Sequence, residues 1–305
     1  MGDLAQRILG RTRLSVTVLG YGAMELRGAP HWHPKAKEMT LSQAQAALDA
    51  ALDSGINFVD TAPDYGQSED YVGRCIAGRR SGFFLTSKCG CLRDAAPPPG
   101  SVRPPHDFTR AHIRQGVEDS LRRLNTDFLD LVQFHGTPTK QQLEENDSVE
   151  EALALQREGK VRYIGMSSTL PHIRDHIAMG VFDTFQIPYS ALERDYEDII
   201  TEAAEAGAGI IIRGGMARGG PGGLSGPNWD AWESAKLDEL LDGMDRMEFL
   251  LRFTLGHPHV HTVIAGTADP DHVRANVQAA MHGPLPADVY QETKRRMDAA
   301  GVVPA

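Results

Sequence analysis

The stretch Asp60-Thr61-Ala62-Pro63-Asp64-Tyr65-Gly66-Gln67-Ser68-Glu69 joins two segments of different period. Before it, Ile56-Asn57-Phe58-Val59 is a short apolar run of strand length. After it, Tyr71, Val72, Cys75 and Ile76 mark one face of a helix, with Ser68 placed to cap it. An acid and a tyrosine therefore share one strand-to-helix loop. The design recurs twice. Phe83-Phe84-Leu85-Thr86-Ser87 is a strand that ends on Lys88, and Phe128-Leu129-Asp130-Leu131-Val132-Gln133-Phe134 is one that ends on His135. Asp60, Tyr65, Lys88 and His135 all stand where a strand gives way to a loop.

Outward from this region the alternation continues. Gln6 to Leu9, a turn at Gly10-Arg11 and Leu14 to Val18 read as a hairpin, followed by a strand and Gly-rich turn from Leu19 to Met24. Thr40-Leu41-Ser42-Gln43 fits a capping box, and Ala44, Ala47, Leu48, Ala51 and Leu52 line the helix that Gly55 closes. Ile113, Val117, Leu121 and Leu124 mark the helix before the His135 strand. Further strands end near Ser168, Tyr189, Arg213 and Gly266, with helices at 149–156, 172–178, 196–206 and 270–280. Leu237, Leu240, Leu241, Met244, Met247, Leu250 and Leu251 predict one long periodic helix, and a last helix ends near Ala299. Strand ends near Met24, Asp60, Lys88, His135, Ser168, Tyr189, Arg213 and Gly266 make eight. Eight strands, each followed by helix, predict an α/β fold of the (β/α)8 TIM barrel type, with the hairpin as a plug and a short C-terminal helical tail, as one domain over residues 1–305. A doubly wound open sheet is the alternative. In the barrel all eight strand ends meet on one face, which brings Asp60, Tyr65, Lys88 and His135 together.

Composition narrows the function class. The 305 residues are 41% hydrophobic and 24% charged, with a net charge of -10 and no basic tract, which argues against nucleic acid as a partner. A mean hydropathy of -0.33 and the lack of a long uncharged apolar run argue against a membrane span. The start of the chain lacks a signal-peptide pattern, and Met1-Gly2 is followed by Gln6 where myristoylation needs Ser or Thr. Three cysteines in this length point to a reducing, cytoplasmic setting.

The chain resembles the aldo-keto reductase family from Gln6 to Ala280. The resemblance is carried by Asp60-Thr61-Ala62 with Tyr65-Gly66, Ser68-Glu69 and Gly73, and then by Ser120 to Leu124 and Asp130-Leu131 leading to His135. Gly159 to Gly165, Gly266-Thr267 and Asn276 complete it. It implies a tetrad of Asp60, Tyr65, Lys88 and His135 in an NAD(P)H-dependent reductase of an aldehyde, ketone or sugar carbonyl, working reversibly. Tyr65 would be the proton donor. A free phenol has a pKa of about 10, so Lys88 would favour its anion, Asp60 would hold Lys88, and His135 would orient the carbonyl oxygen. Met24, Trp32, Tyr65 and His135 would border the substrate.

The same resemblance implies the cofactor contacts. Gly22, Ala23 and Met24 would line the barrel mouth beside the nicotinamide, together with Asp60. Ser167, Ser168 and Gln186 would grip its carboxamide, with Ser168 standing where the family usually has Asn. Arg213 stands where many members stack an aromatic ring, and Gly214, Gly215 and Met216 match the segment beneath the pyrophosphate. Gly266, Thr267, Ala268, His272 and Asn276 would hold the adenosine end. NADP-binding members often carry Lys or Arg where this chain has Gly266 and His272. Arg274 is a substitute cation, Asp269 an unfavourable neighbour, and NADPH is expected, with NADH the alternative.

Three other features carry less. Gly20-Tyr21-Gly22 lacks the third glycine of a dinucleotide fingerprint. His257, His259 and His261 alternate without an acidic or Cys partner at ligand spacing, so no metal is expected. Cys89 and Cys91 follow Lys88 as pocket-lining thiols. The loops Cys89–Phe108 and Gly214–Glu233 would wall the pocket without a basic cluster. The competing reading is a cofactor-sensing regulatory subunit on the same barrel, which the intact tetrad disfavours. Substrate identity, direction and oligomeric state are not legible.

Overall fold

The eight expected strands close into a barrel. The structure, a computed structural model, describes residues 3–28, 38–93, 95, 97–98, 104–217 and 229–305. The hairpin comes first: β1 (Gln6–Ile8) pairs antiparallel with β2 (Ser15–Thr17), Arg7 opposite Val16. The barrel is β3 (Leu19–Gly22), β4 (Phe58–Asp60), β5 (Phe84–Cys89), β6 (Leu129–Phe134), β7 (Val161–Ser167), β8 (Thr184–Pro188), β9 (Gly209–Arg213) and β10 (Thr262–Ala265). These strands neighbour one another in chain order, and β10 closes the ring by pairing in parallel with both β9 and β3. Strands such as Gly209-Ile210-Ile211-Ile212 are apolar throughout because they face the barrel interior on one side and helices on the other.

The helices that follow the barrel strands are α1 (Leu41–Asp53), α2 (Ser68–Ile76), α3 (Arg110–Leu124), α4 (Lys140–Glu145), α5 (Ser148–Arg157), α6 (Ile173–Met179), α7 (Glu197–Glu205), α8 (Trp229–Ser234), α9 (Arg246–Leu255) and α10 (Pro270–Met281). Last comes α11 (Ala287–Ala299), the expected tail. The capping box at α1 is formed: the Gln43 backbone N–H donates to the Thr40 hydroxyl, and the Thr40 N–H donates to Gln43 Oε1 at 2.9 Å. The hairpin plugs the end of the barrel remote from Asp60. Leu9 and Val16 pack with Phe58, Leu131 and Ile211 in a small core of their own, and the Arg11 N–H donates to the Gly207 carbonyl just ahead of β9.

Two expectations need correction. The periodic stretch from Leu237 to Leu251 is not one helix. Leu237–Leu240 is a 3-10 turn, Asp242 and Gly243 adopt left-handed backbone at φ 46 and 84, and Asp245 restarts the chain as α9. The period survives because both pieces face the same core, but an Asp-Gly pair interrupts the backbone ladder. Ser68 does not cap α2. Gln67 holds the cap position, and the Ser68 hydroxyl instead donates to the Ala23 carbonyl at 2.7 Å and meets the Thr61 hydroxyl at 2.9 Å. Ser68 thereby ties the β4 loop to the end of β3.

Candidate active site

The site begins inside the barrel with one carboxylate oxygen. Asp60 ends β4, in register with Gly22 on one side and Thr86 on the other. Its Oδ1 accepts from Lys88 Nζ at 2.5 Å, Thr86 Oγ1 at 2.6 Å, Gln133 Nε2 at 3.1 Å and Gln186 Nε2 at 3.1 Å. Those donors come from β5, β6 and β8, so a single acid reads across half the barrel. All five residues are buried. Lys88 also donates to the Thr61 carbonyl at 3.1 Å. Thr86 and Gln133 had no part in the sequence reading. The signal for them was there: each is a polar residue in an apolar strand, two positions before Lys88 and His135, and hence on the same face.

Tyr65 and His135 stand above this layer. The turn after β4 bonds Tyr65 N–H to the Ala62 carbonyl and Ser68 N–H to the Tyr65 carbonyl. Gly66 makes that turn possible: its φ is +54, and a Cβ there would lie 2.4 Å from the Arg27 carbonyl oxygen. The rings of Tyr65 and His135 meet edge to face with centroids 6.1 Å apart. His135 Nδ1 lies 3.2 Å from Asp64 Oδ2 and 3.4 Å from Cys91 Sγ. His106 Nε2 is 3.8 Å from the same Asp64 oxygen. Asp64 and His106 were not foreseen as site residues, because their partners lie far away in sequence.

The electrostatics differ from the expectation in one respect. Burial, reinforced by the Asp60 and Asp64 carboxylates, holds the Tyr65 phenol well above its ordinary range, with Arg213 pulling the other way. Lys88 does not reverse this, because its ammonium is taken up by Asp60 and Thr61. Tyr65 therefore keeps its proton at neutral pH. Burial alone would raise the Asp64 carboxyl, but His135, His106 and Lys88 outweigh it and hold it below the usual range. Burial pushes the Cys89 and Cys91 thiols up, so both are protonated at neutral pH.

The other expected contacts divide. Ser167 donates to Gln186 Oε1 at 3.3 Å, in register across β7 and β8. With one Gln186 amide hydrogen on Asp60, the second hydrogen and an Oε1 lone pair remain to match a carboxamide. Ser168 is fully buried, and its hydroxyl is hydrogen-bonded to His176 Nδ1 at 2.7 Å while His176 Nε2 meets the Pro138 carbonyl. Gly22 and Gly266 face each other across the β3–β10 seam, where a Cβ on Gly266 would lie 2.8 Å from the Gly22 oxygen. Ala23 is buried, with its carbonyl taken by Ser68. Met24 is half-buried on the 3-10 turn Ala23–Leu26. Gly214, Gly215 and Met216 form the turn after β9, closed by the Ala217 N–H to the Gly214 carbonyl at 2.9 Å. Thr267 and Asn276 line one small cavity with Tyr21. Ala268 packs on the core, and His272 is exposed on α10. Trp32 lies outside the described residues.

A family model described as the aldo/keto reductase family matches residues 18–296. The chain belongs to the aldo/keto reductase family. This aldo/keto reductase is 28% identical to the uncharacterized oxidoreductase YqkF of Bacillus subtilis, with 91% of each chain covered. It is 25% identical to the NADH-specific methylglyoxal reductase of Escherichia coli, over 89% of this chain and 92% of that one. The holo form of aldo-keto reductase AKR11C1 from Bacillus halodurans superposes with a TM-score of 0.83 at 31% identity, covering 96% of both. Among the described residues of this aldo/keto reductase, no helix is long and apolar enough to cross a membrane.

Proposed function

We propose that this chain reduces the carbonyl of an aldehyde, ketone or sugar to the alcohol, reversibly, with Tyr65 as the proton donor. The observation that carries the reading is the meeting of Asp60, Tyr65, Lys88 and His135 from three strand ends at one barrel mouth. A bound reduced nicotinamide supplies hydride to the carbonyl carbon. Tyr65 gives its phenolic proton to the carbonyl oxygen. His135, with Nδ1 turned to Asp64, has Nε2 left to meet that oxygen. Lys88 and Asp60 are positioning residues: their buried pair, braced by Thr86, Gln133 and Gln186, fixes the floor on which Tyr65 stands. Ser167 and Gln186 would hold the carboxamide, and the backbone at the ends of β3, β9 and β10 would take the rest of the dinucleotide.

At the adenosine end the charges favour NADH over the NADPH that the sequence suggested. Asp269 caps α10, its carboxylate accepting from the Asp271 N–H at 2.8 Å, in the place a 2′-phosphate would seek. Arg274 is paired with Asp271 at 2.6 Å. We expect NADH to be oxidised with a higher kcat/KM than NADPH across a panel of aldehydes, ketones and sugars. Binding of both nucleotides without turnover on any carbonyl would favour the regulatory reading instead.

A further inference from the structure

Asp64, Cys91 and His106 crowd against His135 at the barrel mouth, and the tetrad gives them no role. Their ligand-type atoms and that of His135 all lie within 4.8 Å of one another. Three of the edges are 3.2 Å from His135 Nδ1 to Asp64 Oδ2, 3.4 Å from His135 Nδ1 to Cys91 Sγ, and 3.8 Å from His106 Nε2 to Asp64 Oδ2. A tetrahedral zinc with bonds of ~2.0–2.3 Å has ligand-to-ligand edges of ~3.3–3.7 Å. Asp64 Oδ1 is buried and has no hydrogen-bond partner among the described residues.

We propose that Asp64, Cys91, His106 and His135 bind one zinc-class divalent cation in a closed, four-ligand site. One thiolate, two imidazoles and one carboxylate form a donor set suited to a borderline-soft metal rather than to magnesium or calcium. The framework that presents them is built. Cys91 and His106 face each other in an antiparallel bridge, the Asp107 N–H donates to the Gly90 carbonyl at 2.8 Å, and His112 Nε2 lies 3.0 Å from the Cys91 carbonyl. His106 stacks on Phe108 at an interplanar angle of 7°. It lies so close over Gly136 that a Cβ there would be 2.7 Å from its Nδ1. The ligands come from the loops after β4, β5 and β6, so a metal would tie those three loops together beside Tyr65.

Binding releases the Cys91 thiol proton to solvent, and the cation takes its place. A neutral His135 metallated at Nδ1 keeps its hydrogen on Nε2, the nitrogen left for a carbonyl oxygen. With four protein ligands the ion has no open position, so it orders the mouth and fixes the tautomer rather than acting as a Lewis acid. The inference stands on the four ligands and is independent of the reductase reading. No comparable group forms among the described residues around His257, His259 and His261, where sequence spacing had drawn attention.

The test is cobalt titration of chelator-treated protein, with zinc competition. One equivalent is expected, with tetrahedral d–d bands and a thiolate-to-cobalt charge-transfer band that zinc abolishes. The charge-transfer band is lost in Cys91→Ala, kept in Cys75→Ala, and binding weakens at least tenfold in His106→Gln. X-ray absorption on the zinc-loaded wild type needs no variant, and a shell of one sulfur with three nitrogen or oxygen atoms is expected. A shell without sulfur, a cobalt spectrum unchanged in Cys91→Ala, or no stoichiometric binding would overturn the site and leave the four residues as a hydrogen-bonded ion cluster only.

Discussion

At the residue scale, the arrangement turns on Asp60. Four donors converge on its Oδ1, and one of them is a buried ammonium. Removing that ammonium strands a carboxylate out of water, and removing the carboxylate strands the ammonium. Lys88→Met and Asp60→Asn are each expected to cost about 3–5 kcal/mol, read from urea unfolding. A loss below 1 kcal/mol in both would mean that the pair does not hold the floor of the site. The sequence supplied the tetrad because each member ends an apolar run. It did not supply the relation of Lys88 to Tyr65, because distance and burial decide that sign. Lys88 is spent on Asp60, and burial, reinforced by the Asp60 and Asp64 carboxylates, governs the phenol. Asp64 stood inside the stretch that decides the fold, yet its partners Cys91, His106 and His135 come from two other loops, a proximity that only the closed barrel creates.

At the element scale, strand and helix positions were readable wherever the period was clean. Strand ends near Lys88, His135, Ser168 and Arg213 fall within one residue of the expected positions. The failure at 237–251 is of a different kind: period reports which face is buried and is blind to a break that preserves the face. Asp245 is what restarts the chain there, its carboxylate accepting from the Met247 N–H at 2.7 Å and the Glu248 N–H at 2.8 Å. Asp245→Ala is expected to destabilise the fold by about 1 kcal/mol, measured by thermal or urea melting. Full stability in that variant would show that α9 is held by packing alone. The misassigned cap at Ser68 has a similar origin, since a hydroxyl at a helix start reads alike whether it caps its own helix or, as here, reaches the neighbouring strand.

At the scale of the whole molecule, His257, buried, and His261, half-buried at the plugged end, set a pH dependence. Burial lowers His257 and His261 from 6.5 to about 4, and His261 Nδ1 accepts the Ile210 N–H at 3.0 Å, which requires the neutral ring. The folded-state values are depressed, so below the unfolded value the unfolded chain binds more protons. Stability is therefore whole above pH 6.5 and is lost progressively as pH falls towards 4, by about 1–3 kcal/mol per histidine. The urea midpoint should fall over that window, and the fall should be shallower in His261→Gln. An equal slope in wild type and variant would remove His261 from the account. The barrel was legible because eight strand-to-helix units in a chain of this length leave few other folds.

The most direct test of the central claim is a single-turnover mixing of the NADH-loaded protein with an activated aromatic aldehyde, in wild type and in Tyr65→Phe. The account predicts that wild type oxidises its bound nucleotide. Tyr65→Phe should bind NADH with the same Kd and react about 10²- to 10⁴-fold more slowly. A Tyr65→Phe rate within a few-fold of wild type would contradict Tyr65 as the proton donor.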